Sequence, residues 1–155
     1  MIYAVIVKYW ITMDHPNEEL MRTAISLGTD PEAVGALLVK NGDIVASGTG
    51  AIFERPDATA HSEIEVIREA CQRLDSERLD GCWLYSTHEP CPMCTAACCW
   101  ARIEGVVYAL TDEDMPADWG TIFSAVSARE IRDSCEHRPE LHDGFMHAEA
   151  TRLLH

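Results

Sequence analysis

Two short stretches of the 155-residue chain carry residue types able to hold a metal ion and to move a proton beside it. One is His61-Ser62-Glu63; the other is Pro90-Cys91-Pro92-Met93-Cys94. Pro92 suits the first position of a helix, where its missing N–H costs nothing, which makes Cys91 the N-cap. Cys94 then follows on the same face, still in the first turn. Free N–H groups and the positive end of the helix dipole favour thiolates there, so both thiol pKa values are expected to fall. Two thiolates are half of a zinc site. A neutral imidazole from His61 supplies a third donor, and three protein donors plus water is the open arrangement of catalytic zinc, whereas structural sites close with four. At the mouth of its helix, Glu63 can lean over such a water and carry its proton to a substrate nitrogen. The plainer alternatives are a solvent-facing helix start at His61-Ser62-Glu63, and a non-catalytic zinc module closed by Cys98 or His88.

The elements that must position these residues are legible in outline. Asn17 followed by Glu18 and Glu19 predicts a helix N-cap, and Gly28 ends that helix at Leu27. Asn41-Gly42 between the apolar runs 34–40 and 44–47 predicts a hairpin, because both central residues tolerate positive φ. Residues 48–60, with two glycines and Pro56, read as a loop. From His61 the period changes: Ile64, Ile67, Cys71 and Leu74 share one helical face. A strand over 82–86, a helix from Pro92 to Arg102 broken by Gly105, and a strand over 106–110 follow. Helices are expected near 127–135 and 145–154. The order α-β-β-α-β-α-β-α-α is that of an α/β layered domain with helices flanking a mixed sheet. No repeat or flexible linker interrupts it, so residues 1–155 are read as a single domain. Residues 1–12 are either an extra edge strand or the product of an upstream start codon, with Met13 the true beginning.

The pattern H-x-E followed by P-C-x-x-C resembles the signature of zinc-dependent nucleobase and nucleoside deaminases. The stretches ATAHSEIEVIREAC (58–71) and LYSTHEPCPMCTAACCWARIEGVVYAL (84–110) are similar to the cytidine-deaminase-like superfamily. They resemble most its guanine deaminase, cytosine deaminase and tRNA adenosine deaminase branch, over residues 34–110. The resemblance implies one zinc per chain on His61, Cys91 and Cys94, with Glu63 as proton shuttle. It also implies a three-layer α-β-α sandwich around a mixed five-stranded sheet, and a homodimer. The fifth strand is hard to see, since residues 137–145 are short and polar, and four strands are the alternative. Substrate contacts are expected from Gly50, Ala60, Asp114 and Trp119, the last by stacking on a flat ring. At the position of Gly50, members of this branch commonly carry an Asn that hydrogen-bonds the substrate.

Charge and composition narrow the partners. There are 26 Asp and Glu against 12 Lys and Arg, a formal net charge of -14, and such a field repels phosphate backbones. The C-terminal segment adds Arg132, Arg138 and Arg152 but also Glu130, Asp133, Glu136, Glu140, Asp143 and Glu149. Nucleic acid is therefore not the expected partner, and tRNA adenosine-to-inosine editing ranks behind a small-molecule substrate. Guanine comes first, on the resemblance of THEPCPMC and WARI to guanine deaminases. Cytosine, cytidine or another aminated heterocycle comes next. Acid-rich, lysine-poor composition suits a salty cytoplasm. The most apolar stretch, Ile2 to Ile11, is interrupted by Lys8 and falls short of the roughly 20 residues of a spanning helix. With no export signal, a reducing cytoplasm is expected, where seven cysteines mean metal binding and core packing rather than a disulfide framework. Cys71, Cys82, Cys98 and Cys135 are read as core residues, His88 as a loop residue and Glu89 as a loop anchor.

Overall fold

A computed structural model describes residues 13–28, 33–117 and 125–155; the expectations for residues 1–12 and Trp119 lie outside them. Among the described residues, ten regular elements run in the order α1 (Glu18–Leu27), β1 (Gly35–Lys40), β2 (Asp43–Thr49), α2 (Ser62–Leu74), β3 (Cys82–His88), α3 (Pro92–Trp100), β4 (Gly105–Leu110), α4 (Ala128–Ser134), β5 (Glu140–His142) and α5 (His147–Ala150). A single 3-10 turn over Asp112–Asp114 and another over Thr151–Leu154 complete the described residues. The strands form one five-stranded sheet in the order β2-β1-β3-β4-β5. β1 lies antiparallel to β2 and β3, whereas β3, β4 and β5 run parallel, so the sheet is mixed.

The β1–β2 turn follows from its residues. Lys40 pairs with Asp43 across Asn41 and Gly42, whose φ values of 52° and 85° are those of the two-residue turn that matches strand twist. Strand alternation then sorts the core onto two faces. Ala36 and Leu38, Cys82 and Leu84, and Val106 and Tyr108 meet Val66, Ile67 and Ala70 of α2 and Cys98 of α3. Their neighbours Leu37, Val39, Tyr85, Val107 and Ala109 meet Leu20, Met21, Ala24 and Ile25 of α1, with Ala150 and Leu153 from the C-terminus. Helices thus cover both faces, giving the expected three layers.

Several local expectations change. β5 exists, but it is three residues long and pairs with only Gly105, Val106 and Val107 of β4. Gly105 is not merely the end of a helix: it opens β4, and a Cβ there would lie 2.2 Å from the Trp83 ring. The absent side chain is what lets Trp83 lie across the neighbouring strand. α3 stops at Trp100 rather than Arg102, and the C-terminal helix is one short turn followed by a 3-10 turn. His88 is no loop residue; it is the buried last residue of β3. Among the described residues, no helix is long and apolar enough to cross a membrane.

Candidate metal centre and active site

Both helices on the α2/α3 face begin beside the end of β3. His61 caps α2 in an extended conformation (φ -66°, ψ 152°), and Cys91 caps α3 in a similar one (φ -60°, ψ 168°). Neither side chain makes a capping hydrogen bond, and the imidazole and the Cys91 thiol face each other. Pro92 occupies the first turn of α3, as its chemistry predicts, and Cys94 follows one turn in. The Cys91 and Cys94 sulfurs lie 3.6 Å apart, and Cys91 Sγ is 3.7 Å from His61 Nδ1. One donor atom from each of His61, Cys91 and Cys94 falls within 4.8 Å of the others. Sulfurs bound tetrahedrally at ~2.3 Å from zinc lie ~3.8 Å apart, so the donor set has the spread that zinc requires.

The protons on these groups tell the same story. The hydrogen bond from the Cys94 thiol, followed by His61, holds Cys91 down at about 4, while the Cys91 thiolate and burial push Cys94 far up. His61 is raised by its contact with Cys91. The sequence alone predicts that both thiols fall; instead the pair shares one proton, because two thiolates this close repel each other in a buried site. A dication is the partner that lets both deprotonate.

Glu63 sits at the second position of α2 and is 4% exposed. Its Oε1 accepts from Ser86 Oγ at 2.8 Å and its Oε2 accepts from Ser62 Oγ at 3.1 Å. Cys94 Sγ is 3.6 Å from Oε2, so the carboxyl reaches the donor set directly. Burial raises its pKa, and its own backbone N–H, followed by the Ser86 hydroxyl, opposes that rise. Ser86 was not singled out by motif reasoning. Its signal was alternation: it lies on the same face of β3 as Cys82 and Leu84, the face that α2 covers.

Other expected residues divide. Glu89 is an anchor: its carboxylate accepts from Ala128 N–H at 2.8 Å and Asp112 N–H at 3.4 Å, and its own N–H donates to Leu110 O at 2.7 Å. Cys98 packs in the core, away from ligation. Among the described residues, the only cluster able to hold an ion is the His61, Cys91, Cys94 set, so neither Cys98 nor His88 adds a fourth donor. The Asp114 carboxylate is already engaged by Thr111 N–H at 2.8 Å, Thr111 Oγ1 at 3.0 Å and His147 Nε2 at 2.8 Å. It therefore pins the turn after β4 to the C-terminal segment. Gly50 and the buried Ala60 touch each other: a Cβ on Gly50 would lie 3.0 Å from Ala60 O and 3.3 Å from Ser62 N. Ala51 N–H also donates to Ala60 O at 2.8 Å. The missing amide thus reflects a loop drawn tightly onto the start of α2.

Comparisons with known proteins place these features in context. Residues 15–110 match the model described as the cytidine and deoxycytidylate deaminase zinc-binding region. The chain is 38% identical over 125 residues to a tRNA-specific adenosine deaminase of Agrobacterium fabrum, covering 81% of this chain and 79% of that one. It is 46% identical over 80 residues to a guanine deaminase of Bacillus subtilis, covering 52% of this chain and 51% of that one, about half of each. A solved structure from studies of A-to-I editing by tRNA:A34 deaminases at the wobble position superposes with a TM-score of 0.74 at 33% identity, covering 89% of this chain and 100% of that one.

Proposed function

We infer the reaction from one premise: the chain belongs to the cytidine and deoxycytidylate deaminase zinc-binding family and is a zinc-dependent deaminase. His61, Cys91 and Cys94 would hold the ion. Zinc bound by such donors supplies a water acidified towards neutral pH for attack on a ring carbon. Glu63 handles the protons. With Oε1 held by Ser86 and Oε2 near Cys94, it takes the proton of the attacking water and passes it to the ring nitrogen. A second transfer to the departing amine lets ammonia leave. The observation that carries this reading is the 3.6 Å contact between Glu63 Oε2 and Cys94 Sγ, which puts a buried carboxyl against the metal donors.

The substrate proposed is an adenosine carried in a tRNA, converted to inosine. The match to a tRNA-specific adenosine deaminase extends over most of both chains, whereas the match to a guanine deaminase covers about half of each. That reverses the order expected from the motifs, and it returns nucleic acid to the candidate partners. One observation favours a second reading, a free purine such as guanine: the net charge of -14 gives phosphates little to grip. The zinc-loaded chain, offered a tRNA with adenosine at the first anticodon position and, separately, guanine, should form inosine and leave guanine intact. Xanthine and ammonia from guanine, with the tRNA unchanged, would overturn the first reading in favour of the second.

The homodimer belongs to the same reading. Trp100, 86% exposed beside partly buried Cys71 and Ala97, is the apolar surface that a second copy would cover. Trp100→Glu is expected to shift the sedimentation of the chain from dimer to monomer; an unchanged value would remove this face from the interface.

A further inference from the structure

The cysteines outside the metal centre are of two kinds. Cys71, Cys82 and Cys98 pack against the α2/α3 side of the sheet. Cys99 and Cys135 meet elsewhere. Cys99 is the penultimate residue of α3, Cys135 caps the C-terminus of α4, and the two helices pack together. Both thiols line one cavity of about 550 Å³ together with Trp100, Arg102 and His137, close enough for Cys135 to perturb Cys99. Cys135 is half-buried and Cys99 is buried. Burial, followed by the Cys135 thiol, pushes Cys99 up to about 12, while Arg132 pulls it the other way.

We propose that Cys99 and Cys135 form a redox-active dithiol that a peroxide entering this cavity converts to a disulfide. The more exposed Cys135 sulfur attacks one peroxide oxygen. The O–O bond breaks, one water leaves with the thiol proton, and Cys135 becomes a sulfenic acid. The Cys99 sulfur then attacks that sulfur, the S–O bond breaks, and a second water leaves with the Cys99 proton. Two thiols lose two electrons and two protons, and the peroxide is reduced to two waters. The link joins the C-terminal ends of α3 and α4. At their opposite ends, Glu89 already ties the residue before the Pro90-Cys91 step to Ala128 at the start of α4. The disulfide therefore clamps at both ends the helix that carries Cys91 and Cys94.

The test uses the zinc-loaded full chain treated with hydrogen peroxide, then blocked, digested without reduction and mapped, with thermal unfolding recorded in parallel. The expected result is a peptide linked through Cys99 and Cys135, with Cys91 and Cys94 recovered as thiols once zinc is removed. The unfolding midpoint should rise by roughly 5–10 °C and return on reduction. Cys135→Ser should abolish both the link and the rise while keeping ammonia release. Recovery of both thiols unmodified, sulfinic acid at Cys135 with no link, or prior linkage of another cysteine pair would each overturn the proposal. Because ammonia release is read separately, these failures leave the deaminase reading standing.

Discussion

At the scale of single residues, the site depends on how Glu63 is held. Its Oε1 accepts from Ser86 Oγ at 2.8 Å. A hydrogen bond to a charged group is worth about 1.5–3 kcal/mol. Ser86→Ala is therefore expected to lower kcat by roughly 10–100-fold, with zinc content and KM unchanged. Steady-state kinetics on the zinc-loaded variant checks this, and an undiminished kcat would mean that Ser86 does not position the carboxyl. Gly50 is tested in the opposite sense. Adding back the family's amide as Gly50→Asn forces a Cβ against Ala60 O and Ser62 N, so it should destabilise the chain by about 1–3 kcal/mol in urea unfolding. A variant as stable as the parent would show that the loop yields and that the space was never the constraint.

At the scale of elements, what was legible depended on whether the signal was local. The helix starts at Asn17 and Pro92 and the turn at Asn41-Gly42 were readable because capping chemistry and positive φ act within a few residues. The metal donors were readable because each sits at the first turn of its helix. β5 was not: Glu140–His142 is a polar edge strand, set by pairing with Gly105–Val107 rather than by its own alternation. The opening of β4 at Gly105 was likewise hidden, since its cause is the Trp83 ring one strand away. Asp114 combines both kinds of partner: Thr111 holds it through a local capping box, whereas His147 reaches it from 33 residues away. Glu89 was recognisable as an anchor but its partners were not. Glu89→Ala leaves the Ala128 N–H without its acceptor, so the variant should lose about 1–3 kcal/mol and exchange the Ala128 amide faster. Unaltered exchange at Ala128 would show that α4 is not held through Glu89.

At the scale of the whole molecule, charge governs both stability and partners. The net charge of -14 opposes compaction, and the exposed ion pairs such as Arg22–Glu18 return little. Salt shortens the Debye length from ~10 Å at 0.1 M to ~3 Å at 1 M, so the unfolding temperature should climb across that range. A flat curve would show that the repulsion is already neutralised within the fold. The same charge bears on the proposed tRNA substrate, whose binding should lose affinity with salt at a logarithmic slope of about 2 or less, reflecting few phosphate contacts. A steep slope would reveal a cationic path that the overall charge conceals. The most direct test of the central claim pairs metal content with turnover in Glu63→Gln. The account predicts that this variant keeps one zinc per chain while ammonia release falls by roughly 10²–10⁴-fold. Turnover at the parental rate with zinc still bound would contradict it.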